Sequence, residues 1–373
     1  MDSSASGAHG LRASKAHATR VASRGGGSPW DLCDAEFPYQ GAPRERMCFL
    51  LHYAQFAPSP YNTQPWLFRI QAAGIDILAD HRRTLAHSDP MERQLWMGTG
   101  ALVTALRLAG GHFGLRSRVR LLPPPEGLAS LEFSPATGAD NAGHSLFLTL
   151  PKRRRHVVAF DPEVPSGPLL AALAAHAQQA QAQLRYPSDA LERDAVRAIV
   201  DDAFMRRLGD PDFCAELEDW LRDDAASSHD GIPQAGPPLG RARPEFGAPE
   251  WSDATGLASR AKRYIASSLS CARGCPVVAV LATVGDAAED WLAAGSLLME
   301  LELIARASGV WLVEFNQAVE LADLCTGLRE RLELRGYPQT VIGLGYGAEV
   351  PPLPRRPLDE MLLPDHSPVF AMH

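Results

Sequence analysis

The stretch W-M-G-T-G-A-L-V-T-A-L-R-L-A-G-G-H-F-G, residues 96–114, is followed 195 residues further on by W-L-A-A-G-S-L-L-M-E-L-E-L-I-A-R-A-S-G, residues 291–309. Both stretches carry apolar residues at the i, i+3, i+4 and i+7 spacing of a buried helix, and both end at a glycine suited to a left-handed C-cap. The matched residues are Trp96 and Trp291, Gly100 and Gly295, Leu102 and Leu297, Leu106 and Leu301, Leu108 and Leu303, and Gly114 and Gly309. Two unrelated buried helices would also share leucine periodicity. The matched tryptophans and glycines favour an α+β unit that has been duplicated and fused.

The segments around the two helices predict the other elements of an α+β fold. A strand is expected after each repeated helix, at Val119–Leu122 and at Trp311–Phe315. The remaining predicted elements are a hairpin of Phe68–Gln71 and Ile75–Leu78, strands at His144–Leu150 and Pro276–Thr283, and helices at Glu45–Phe56, Leu169–Gln183 and Asp189–Arg207. Together they predict an N-terminal half of residues 30–150 and a C-terminal half of residues 151–362.

The composition is that of a globular protein with no polyanion-binding surface. The chain of 373 residues has a formal charge of -8, with 46% hydrophobic and 21% charged positions. Its acidic balance argues against nucleic acid as a partner. The longest apolar run, Cys275–Val284, is far shorter than the ~20 residues that a membrane helix needs. We therefore expect a soluble, cytoplasmic protein with no nucleic-acid or membrane partner.

The two ends of the chain are expected to lie outside the folded halves. Residues 1–28 are rich in Ser, Ala, Gly and Arg and contain Asp2 as their one acid, a composition that cannot build a core. A disordered tail is therefore expected, with an organellar transit peptide as the alternative. Residues 363–373 are expected to form a second tail.

The six cysteines are scattered along the chain. The nearest pair, Cys271 and Cys275, has C-x-x-x-C spacing and lacks a matching His or Cys pair. Thiols kept reduced are expected, and no metal site is predicted.

A stiff polar loop is the outstanding local feature of the sequence. It is Ala57-Pro58-Ser59-Pro60-Tyr61-Asn62-Thr63-Gln64-Pro65-Trp66, between a predicted helix and a predicted strand. Three prolines stiffen this polar loop while Ser59, Asn62 and Gln64 present donors and acceptors. Such a loop suits a planar heterocycle with imide edges, because an amide side chain both donates and accepts. The alternative is structural, with Ser59 and Asn62 capping the turn and Trp66 in the core.

The string P-S-x-x-N-T-Q-P-W in the polar loop resembles the flavin-binding signature of the FMN-dependent nitroreductase superfamily. Further stretches resemble its twin-domain, Acg-like branch, and the likeness covers about residues 40–362. They are Asp80–Leu115, Gly309-Val310-Trp311, Gly336-Tyr337-Pro338-Gln339, Leu344-Gly345-Tyr346-Gly347 and Pro354-Arg355-Arg356-Pro357. The resemblance implies a nitroreductase-like α+β fold in which two fused halves form a pseudo-dimer within one chain.

The resemblance also implies how a cofactor site is divided. Nitroreductases hold FMN across a dimer interface, with an Arg-rich segment from one subunit and the P-S-x-x-N loop from the other. Here the Arg segment occurs once, as Arg153-Arg154-Arg155-His156-Val157-Val158-Ala159-Phe160, and the loop string occurs once, at Pro58. The fused chain is therefore expected to keep one composite FMN site. The expected cofactor-binding residues are Pro58, Ser59, Asn62, Gln64, Arg153, Arg154, Arg155, His156, Glu314, Arg355 and Arg356.

Two departures from the family pattern lie in the Arg segment. Arg155 or His156 replaces the usual serine, and Val157 or Val158 replaces the later basic residue. One phosphate or pyrimidine contact is then missing. A ring N–H of His156 is a candidate to compensate for it, and the alternative is that His156 has a structural role.

What the resemblance implies about function is an FMN-dependent oxidoreductase that passes a hydride from NAD(P)H through flavin N5 to a flat acceptor such as a nitroaromatic or quinone. An FMN-sequestering protein whose loop Ser227–Pro249 covers the site is one alternative, and a tailoring dehydrogenase of a biosynthetic pathway is another. No catalytic side chain is assigned. The expected partners are NAD(P)H and a small acceptor, and the chain is expected to be a monomer with an internal pseudo-dimer or a homodimer.

Overall fold

A computed structural model describes residues 29–125, 127–138, 141–155, 158–223, 228–233 and 259–364. The N-terminal half is built on a four-stranded antiparallel sheet with the strand order β1-β2-β4-β3. Its elements in chain order are α1 (Pro43–Ala54), β1 (Trp66–Gln71), β2 (Gly74–Ala79), α2 (Arg93–His112), β3 (Leu115–Leu121), β4 (Gly127–Pro135) and α3 (Asn141–Thr149).

The C-terminal half has a second four-stranded antiparallel sheet, with the order β5-β8-β10-β9. Its elements are α4 (Gly167–Gln179), β5 (Gln183–Arg185), α5 (Ala190–Gly209), α6 (Pro211–Asp219), β6 (Leu221–Arg222), β7 (Ile232–Pro233), α7 (Arg260–Gly274), β8 (Val277–Thr283), α8 (Ala288–Ala307), β9 (Trp311–Glu314), α9 (Gln317–Glu320), α10 (Ala322–Arg331), β10 (Tyr337–Gly345) and α11 (Leu358–Met361).

The two sheets have the same connectivity. In each, a strand (β2 or β8) runs into the repeated helix, a short strand follows that helix, and the last strand returns to lie between the other two. This shared order supports the duplication inferred from the sequence. The α+β fold class is confirmed.

The repeated helices α2 and α8 pack against each other at two matched glycines. A Cβ added to Gly100 would lie 2.0 Å from the carbonyl oxygen of Leu292, and one added to Gly295 would lie 1.8 Å from that of Met97. The Ser296 hydroxyl donates to the Gly100 carbonyl at 2.9 Å. Because only glycine permits such an approach of two backbones, the conspicuous glycine match between the repeats marks the contact between the halves.

The hydrophobic cores also cross the boundary between the halves. Met299 and Leu303 of α8 belong to the core of the N-terminal half, and Met97 of α2 belongs to a core of the C-terminal half. At the end of the described chain, the Leu363 N–H donates to the Phe68 carbonyl of β1 at 2.8 Å. The last described residues therefore pack on the N-terminal sheet.

Most of the predicted elements are present. Gly114 and Gly309 have φ values of +76° and +75°, which confirms both as left-handed helix ends. The expected hairpin is formed by β1 and β2, and the apolar run of Pro276–Thr283 forms β8. The helix predicted over Leu169–Gln183 ends at Gln179, because β5 begins at Gln183.

The strand predicted at His144–Leu150 is wrong, because these residues belong mainly to helix α3. Phe147 stacks on His112 of α2, with ring centroids 3.9 Å apart, and Leu150 is fully buried. A short apolar run has no periodicity long enough to separate helix from strand. Packing against α2 decides between them.

Residues 1–28, His156, Val157 and 365–373 lie outside the described residues, so neither tail prediction is tested. Of the loop Ser227–Pro249, the structure describes 228–233. Among the described helices, none combines the length and the apolar character needed to cross a bilayer.

Candidate functional site

A cleft lies between the two halves, beside the crossing of α2 and α8. It encloses about 1040 Å³ of space between protein atoms, a volume that includes its open mouth. The N-terminal half contributes Pro58–Tyr61 of the polar loop and small residues of α2 such as Gly98 and Ala101. The C-terminal half contributes Arg153–Arg155, one face of α8 and the residues after β9.

The polar loop is held in a strained backbone conformation. Tyr61, Asn62 and Gln64 have φ values of 50°, 57° and 49°, a region that residues other than glycine rarely adopt. The Ser59 hydroxyl accepts from the Gln64 N–H at 2.8 Å, and the Tyr61 hydroxyl lies 3.0 Å from that of Ser88. Such strain persists only where surrounding structure enforces it, and it is frequent at functional sites.

Asn62 and Gln64 do not line the cleft. The Asn62 amide donates to the carbonyls of Gly231 (3.2 Å) and Pro354 (2.9 Å), and its oxygen accepts from Arg355. The Gln64 amide donates to the His229 carbonyl at 3.0 Å, and its oxygen accepts from the Arg356 N–H at 2.9 Å. Both amides, which the sequence assigned to a heterocycle, are therefore engaged by the protein.

The segment that they hold, residues 228–233, will be called the strap. Asp230 of the strap pairs with Arg83 and, at 2.8 Å, with Arg222. The guanidinium groups of Arg83 and Arg222 lie 5.2 and 5.3 Å from the ring centroid of Trp220. Arg83 also donates from Nε to the Thr63 carbonyl at 2.6 Å, so it links the strap to the polar loop.

The Arg segment reaches the cleft from the start of the C-terminal half. Arg153 is buried, and its Nε lies 2.7 Å from Oε2 of Glu302 on α8. Arg154 and Arg155 also line the cleft, with Arg155 lying 5.8 Å from the ring centroid of Tyr264. The structure thus brings Pro58, Ser59, Arg153, Arg154, Arg155 and Glu314 to one cleft.

Two arginines lie over the ring of Trp30. The guanidinium carbon of Arg154 is 4.9 Å from the ring centroid, and that of Arg355 is 5.7 Å from it. Neither makes an ion pair with any of the described residues. Burial and the charges of Arg153 and Arg154 lower the pKa of Arg355 to about 9. Partly buried guanidinium groups without counter-charges favour a bound anion.

Arg355 and Arg356 do not line the cleft themselves. Arg355 donates to the Gln55 carbonyl behind the polar loop. Arg356 is buried, donates to the Gln64 carbonyl at 2.9 Å and lies 3.5 Å from Asp80. For Arg356 the structure shows a role in holding the polar loop.

Sequence reasoning missed the buried acids of the cleft. Asp89 accepts from the N–H groups of Gln94 (3.0 Å) and Leu95 (2.9 Å) at the start of α2, and burial raises its pKa to about 6. Burial raises the pKa of Glu302 to about 7 and that of Glu320 to about 8, although Arg153 and Arg207 oppose the shifts. One of these acids had a signal in the sequence, because Glu302 is an acidic residue on the apolar face of a predicted helix.

A polar network joins the two halves at the end of β9. The Asn316 amide donates to Gln94 Oε1 of α2 at 2.7 Å and to Glu314 Oε2 at 3.0 Å. Its oxygen accepts from the Thr340 hydroxyl of β10. The Gln94 Nε2 has no partner among the described residues, although Gln94 is 5% exposed.

No family model matches this chain. Two named proteins of Mycobacterium tuberculosis are similar to it over most of its length. The chain is 27% identical over 326 residues to the Mycobacterium tuberculosis protein provisionally named NAD(P)H nitroreductase Rv3131, covering 84% of this chain and 90% of that protein. It is also 27% identical over 346 residues to the protein provisionally named NAD(P)H nitroreductase acg, covering 82% and 91% of the two chains.

Two solved structures are also similar to the chain. A protein from Anabaena variabilis, provisionally named a nitroreductase, is 12% identical, with a TM-score of 0.40 and coverage of 74% of this chain and 69% of that chain. A nitroreductase from Bacteroides fragilis, solved with bound FMN, is 12% identical with a TM-score of 0.34, covering 61% and 97%. These scores are low, so the assignment depends on the sequence relatives. Two such relatives, each matched over more than four fifths of this chain, confirm the resemblance to the NAD(P)H nitroreductases that its motifs predict.

Proposed function

We propose that this chain is an FMN-dependent oxidoreductase that passes a hydride from NAD(P)H to a flat acceptor, such as a nitroaromatic or quinone. One observation carries the proposal. The polar loop, the Arg segment and the Glu314 region are far apart in sequence, and all three line one cleft between the halves. The names of the M. tuberculosis relatives support the same activity.

The residues of the cleft fit the proposed cofactor in charge and in hydrogen-bonding chemistry. Arg154, with Arg355 beside it, supplies positive charge that forms no ion pair with the described residues, although the charge of Glu349 acts on Arg154 from a distance. Such guanidinium groups suit a phosphate. At the other end, Gln94 has an unsatisfied amide N–H in a buried wall, which suits a heterocycle that presents acceptor atoms. Gly98 lines the cleft without a side chain. A Cβ there would lie 3.0 Å from the Trp66 ring and 3.1 Å from the Pro58 carbonyl, so there is little room for one.

When bound, FMN supplies the two-electron chemistry that amino-acid side chains lack. The chain's own residues bind and orient the reactants. The stiff Pro58–Tyr61 segment forms one wall, and Glu314 remains our candidate for presenting its backbone to the reacting edge. Burial raises the pKa of Glu320 to about 8, so this acid holds a proton at neutral pH, but the proposal needs no obligatory catalytic side chain.

The test is an absorbance spectrum of the purified chain, followed by anaerobic titration with NADH and NADPH. Oxidised-flavin bands that bleach on mixing are expected. Arg154→Gln should weaken FMN binding about tenfold or more, because it removes one charge-assisted contact to the phosphate. Arg116→Gln, an exposed position on β3, is the control. A colourless protein that cannot be reconstituted with FMN would contradict the proposal.

The strap favours a second candidate function, an FMN-sequestering protein with little turnover. It is fastened to the polar loop by Asn62, Gln64 and Arg83. The polar loop that the strap holds lines the cleft through Pro58–Tyr61, whereas the strap itself does not line it. If the chain sequesters FMN, the purified protein will be yellow, but neither NADH nor NADPH will bleach it.

A further inference from the structure

The strand β3, Leu115–Leu121, forms one edge of the N-terminal sheet. The opposite edge of this sheet is covered, because Leu362 forms a bridge with Phe68 of β1 and the Leu363 N–H donates to the Phe68 carbonyl. In the C-terminal sheet the edge strands β5 and β9 span three and four residues, whereas β3 spans seven. Short or covered edges resist the addition of another strand, so β3 is the edge at which a further strand has room to pair.

The register shows which backbone groups of β3 face away from the sheet. The Leu122 N–H donates to the Leu128 carbonyl at 3.1 Å, and the Ala136 N–H donates to the Gly114 carbonyl at 2.9 Å. Both bonds continue the register of β3 and β4, so the even-numbered residues of β3 bond to β4 and the odd-numbered ones point outwards. Among the described residues, none hydrogen-bonds to the outward backbone groups of Val119.

The side chains of β3 give this edge a positive charge on one face. Arg116, Arg118 and Arg120 alternate along the strand, about 7 Å apart, and all are exposed. Arg116 and Arg118 make no ion pair with the described residues. Arg120 lies 3.9 Å from the exposed carboxylate of Glu132. A chain with a formal charge of -8 therefore carries a row of cations beside an open sheet edge.

This row of arginines determines which kind of strand fits the edge. Antiparallel pairing of two copies of β3 about Arg118 would place Arg118 opposite its own copy and Arg116 opposite Arg120. Like charges directly opposite each other destabilise a sheet, so a second copy is a poor partner. An acidic strand has the complementary charges, and a peptide added to a sheet edge gains affinity from its backbone and specificity from alternate side chains.

We propose that β3 binds an extended acidic segment of a partner protein, which adds to the N-terminal sheet as an antiparallel strand. The acidic side chains of that segment lie opposite Arg116, Arg118 and Arg120. The residues between them exchange N–H···O bonds with the outward groups of β3, and their side chains lie on the same face as the half-buried Val119 and Leu121. The partner motif is an alternation of apolar and acidic residues. This inference does not depend on the proposed function.

The test measures fluorescence anisotropy of a labelled peptide added to the full-length chain. The peptide alternates valine and glutamate, begins and ends with valine, and has the length of β3. It should bind saturably, and added salt should weaken the binding several-fold because the arginines are exposed. Arg118→Glu should weaken binding about tenfold or more, since it places like charges opposite each other. A peptide with lysine in place of its central glutamate should bind Arg118→Glu more tightly than the parent peptide does.

A matched control makes the same change of charge elsewhere. Arg193→Glu, at an exposed position of α5, should leave peptide binding unchanged. The thermal midpoint of Arg118→Glu should equal that of the wild-type chain, because the side chain is exposed. Arg116→Glu repeats the test at a second position of the row.

Backbone pairing is tested with two N-methylated peptides of the same charge. In the antiparallel register the valine N–H groups of the peptide face β3, and the glutamate N–H groups face away from it. Methylation of the valine nitrogens should abolish binding, whereas methylation of the glutamate nitrogens should leave the affinity nearly unchanged.

Several outcomes would overturn the inference. The edge is not a docking site if the parent peptide does not bind, or if both arginine variants bind it as tightly as the wild-type chain does. If the two N-methylated peptides bind equally well, charge alone holds them and no strand is added. A single-stranded oligonucleotide of equal charge that binds more tightly than the peptide would assign the arginines to a nucleic acid instead.

Discussion

The two halves share a strand order but differ in how their first two strands are joined. In the N-terminal half a tight turn at Ala72-Ala73 connects β1 to β2. In the C-terminal half the equivalent strands β5 and β8 are separated by α5, α6 and α7. Two sheets of the same strand order therefore differ by a helical segment that separates the first two strands of only one of them.

The repeated helices differ in a similar way on the face that meets the cleft. Glu302 of α8 is buried against Arg153, whereas Arg107, its counterpart at the same offset in α2, is exposed. Glu314 after α8 lines the cleft, whereas its counterpart Val119 packs against the N-terminal core. The matched glycines keep the two helices in contact. The residues that differ between the halves place Glu302 and Glu314 in the cleft, whereas their counterparts Arg107 and Val119 do not line it.

The largest expected effect concerns what the halves have in common. Gly295→Ala should destabilise the fold by about 3 kcal/mol, because the added Cβ would lie 1.8 Å from the Met97 carbonyl oxygen and the two helices would have to separate. Urea unfolding measures the change. Gly111→Ala, in α2 with open space around its Cβ, is the control and should be neutral or slightly stabilising. Equal effects of the two substitutions would show that the helix contact is not tight.

The second prediction concerns the buried ion pair between Arg153 and Glu302. Arg153→Met should cost about 3 kcal/mol of unfolding free energy, since it leaves the Glu302 carboxylate buried without its partner. Arg107→Met, at the exposed position of α2 that corresponds to Glu302 in α8, should change the unfolding free energy by less than about 0.5 kcal/mol. Adding Glu302→Leu to Arg153→Met should recover much of the loss. A double variant as unstable as the single one would argue against this assignment.

The third prediction is a pH dependence that arises from the buried acids of the cleft. Because the pKa values of Glu302 and Glu320 are raised on folding to about 7 and about 8, the native state binds more protons than the unfolded state between about pH 5 and 8. Unfolding free energy should therefore fall as pH rises through this window. Glu320→Gln should flatten the curve. A stability that rises with pH over the window would contradict the assignment.

The smallest expected effect concerns the strap. Asp230→Asn should weaken its pairs with Arg83 and Arg222 and cost about 1 kcal/mol or less, because these groups are partly exposed. Hydrogen exchange should become several-fold faster in residues 228–233. Asp223→Asn, at an exposed acid paired with Arg260, is the control and should leave the strap unchanged. If hydrogen exchange in the strap is unchanged in Asp230→Asn, the side-chain amides of Asn62 and Gln64 are sufficient to hold the strap in place.

Local patterns determined much of the fold. The glycines that end both repeated helices, the β1–β2 hairpin and the apolar strand β8 depend on backbone conformation and periodicity over a few residues, which a sequence displays directly. The same patterns failed at His144–Leu150, where packing on α2 chooses a helix.

The sequence by itself predicted the repeated helix and located the polar loop and the Arg segment, because each is a contiguous string whose residue types limit its conformation or its charge. Only the tertiary structure decided which side chains the protein itself engages. Asn62 and Gln64 are engaged by partners as distant in sequence as Arg355, Arg356 and the strap, while Gln94 Nε2 has no partner among the described residues. Hydrogen-bond partners across the fold are set by packing of remote segments, and no local pattern carries that information.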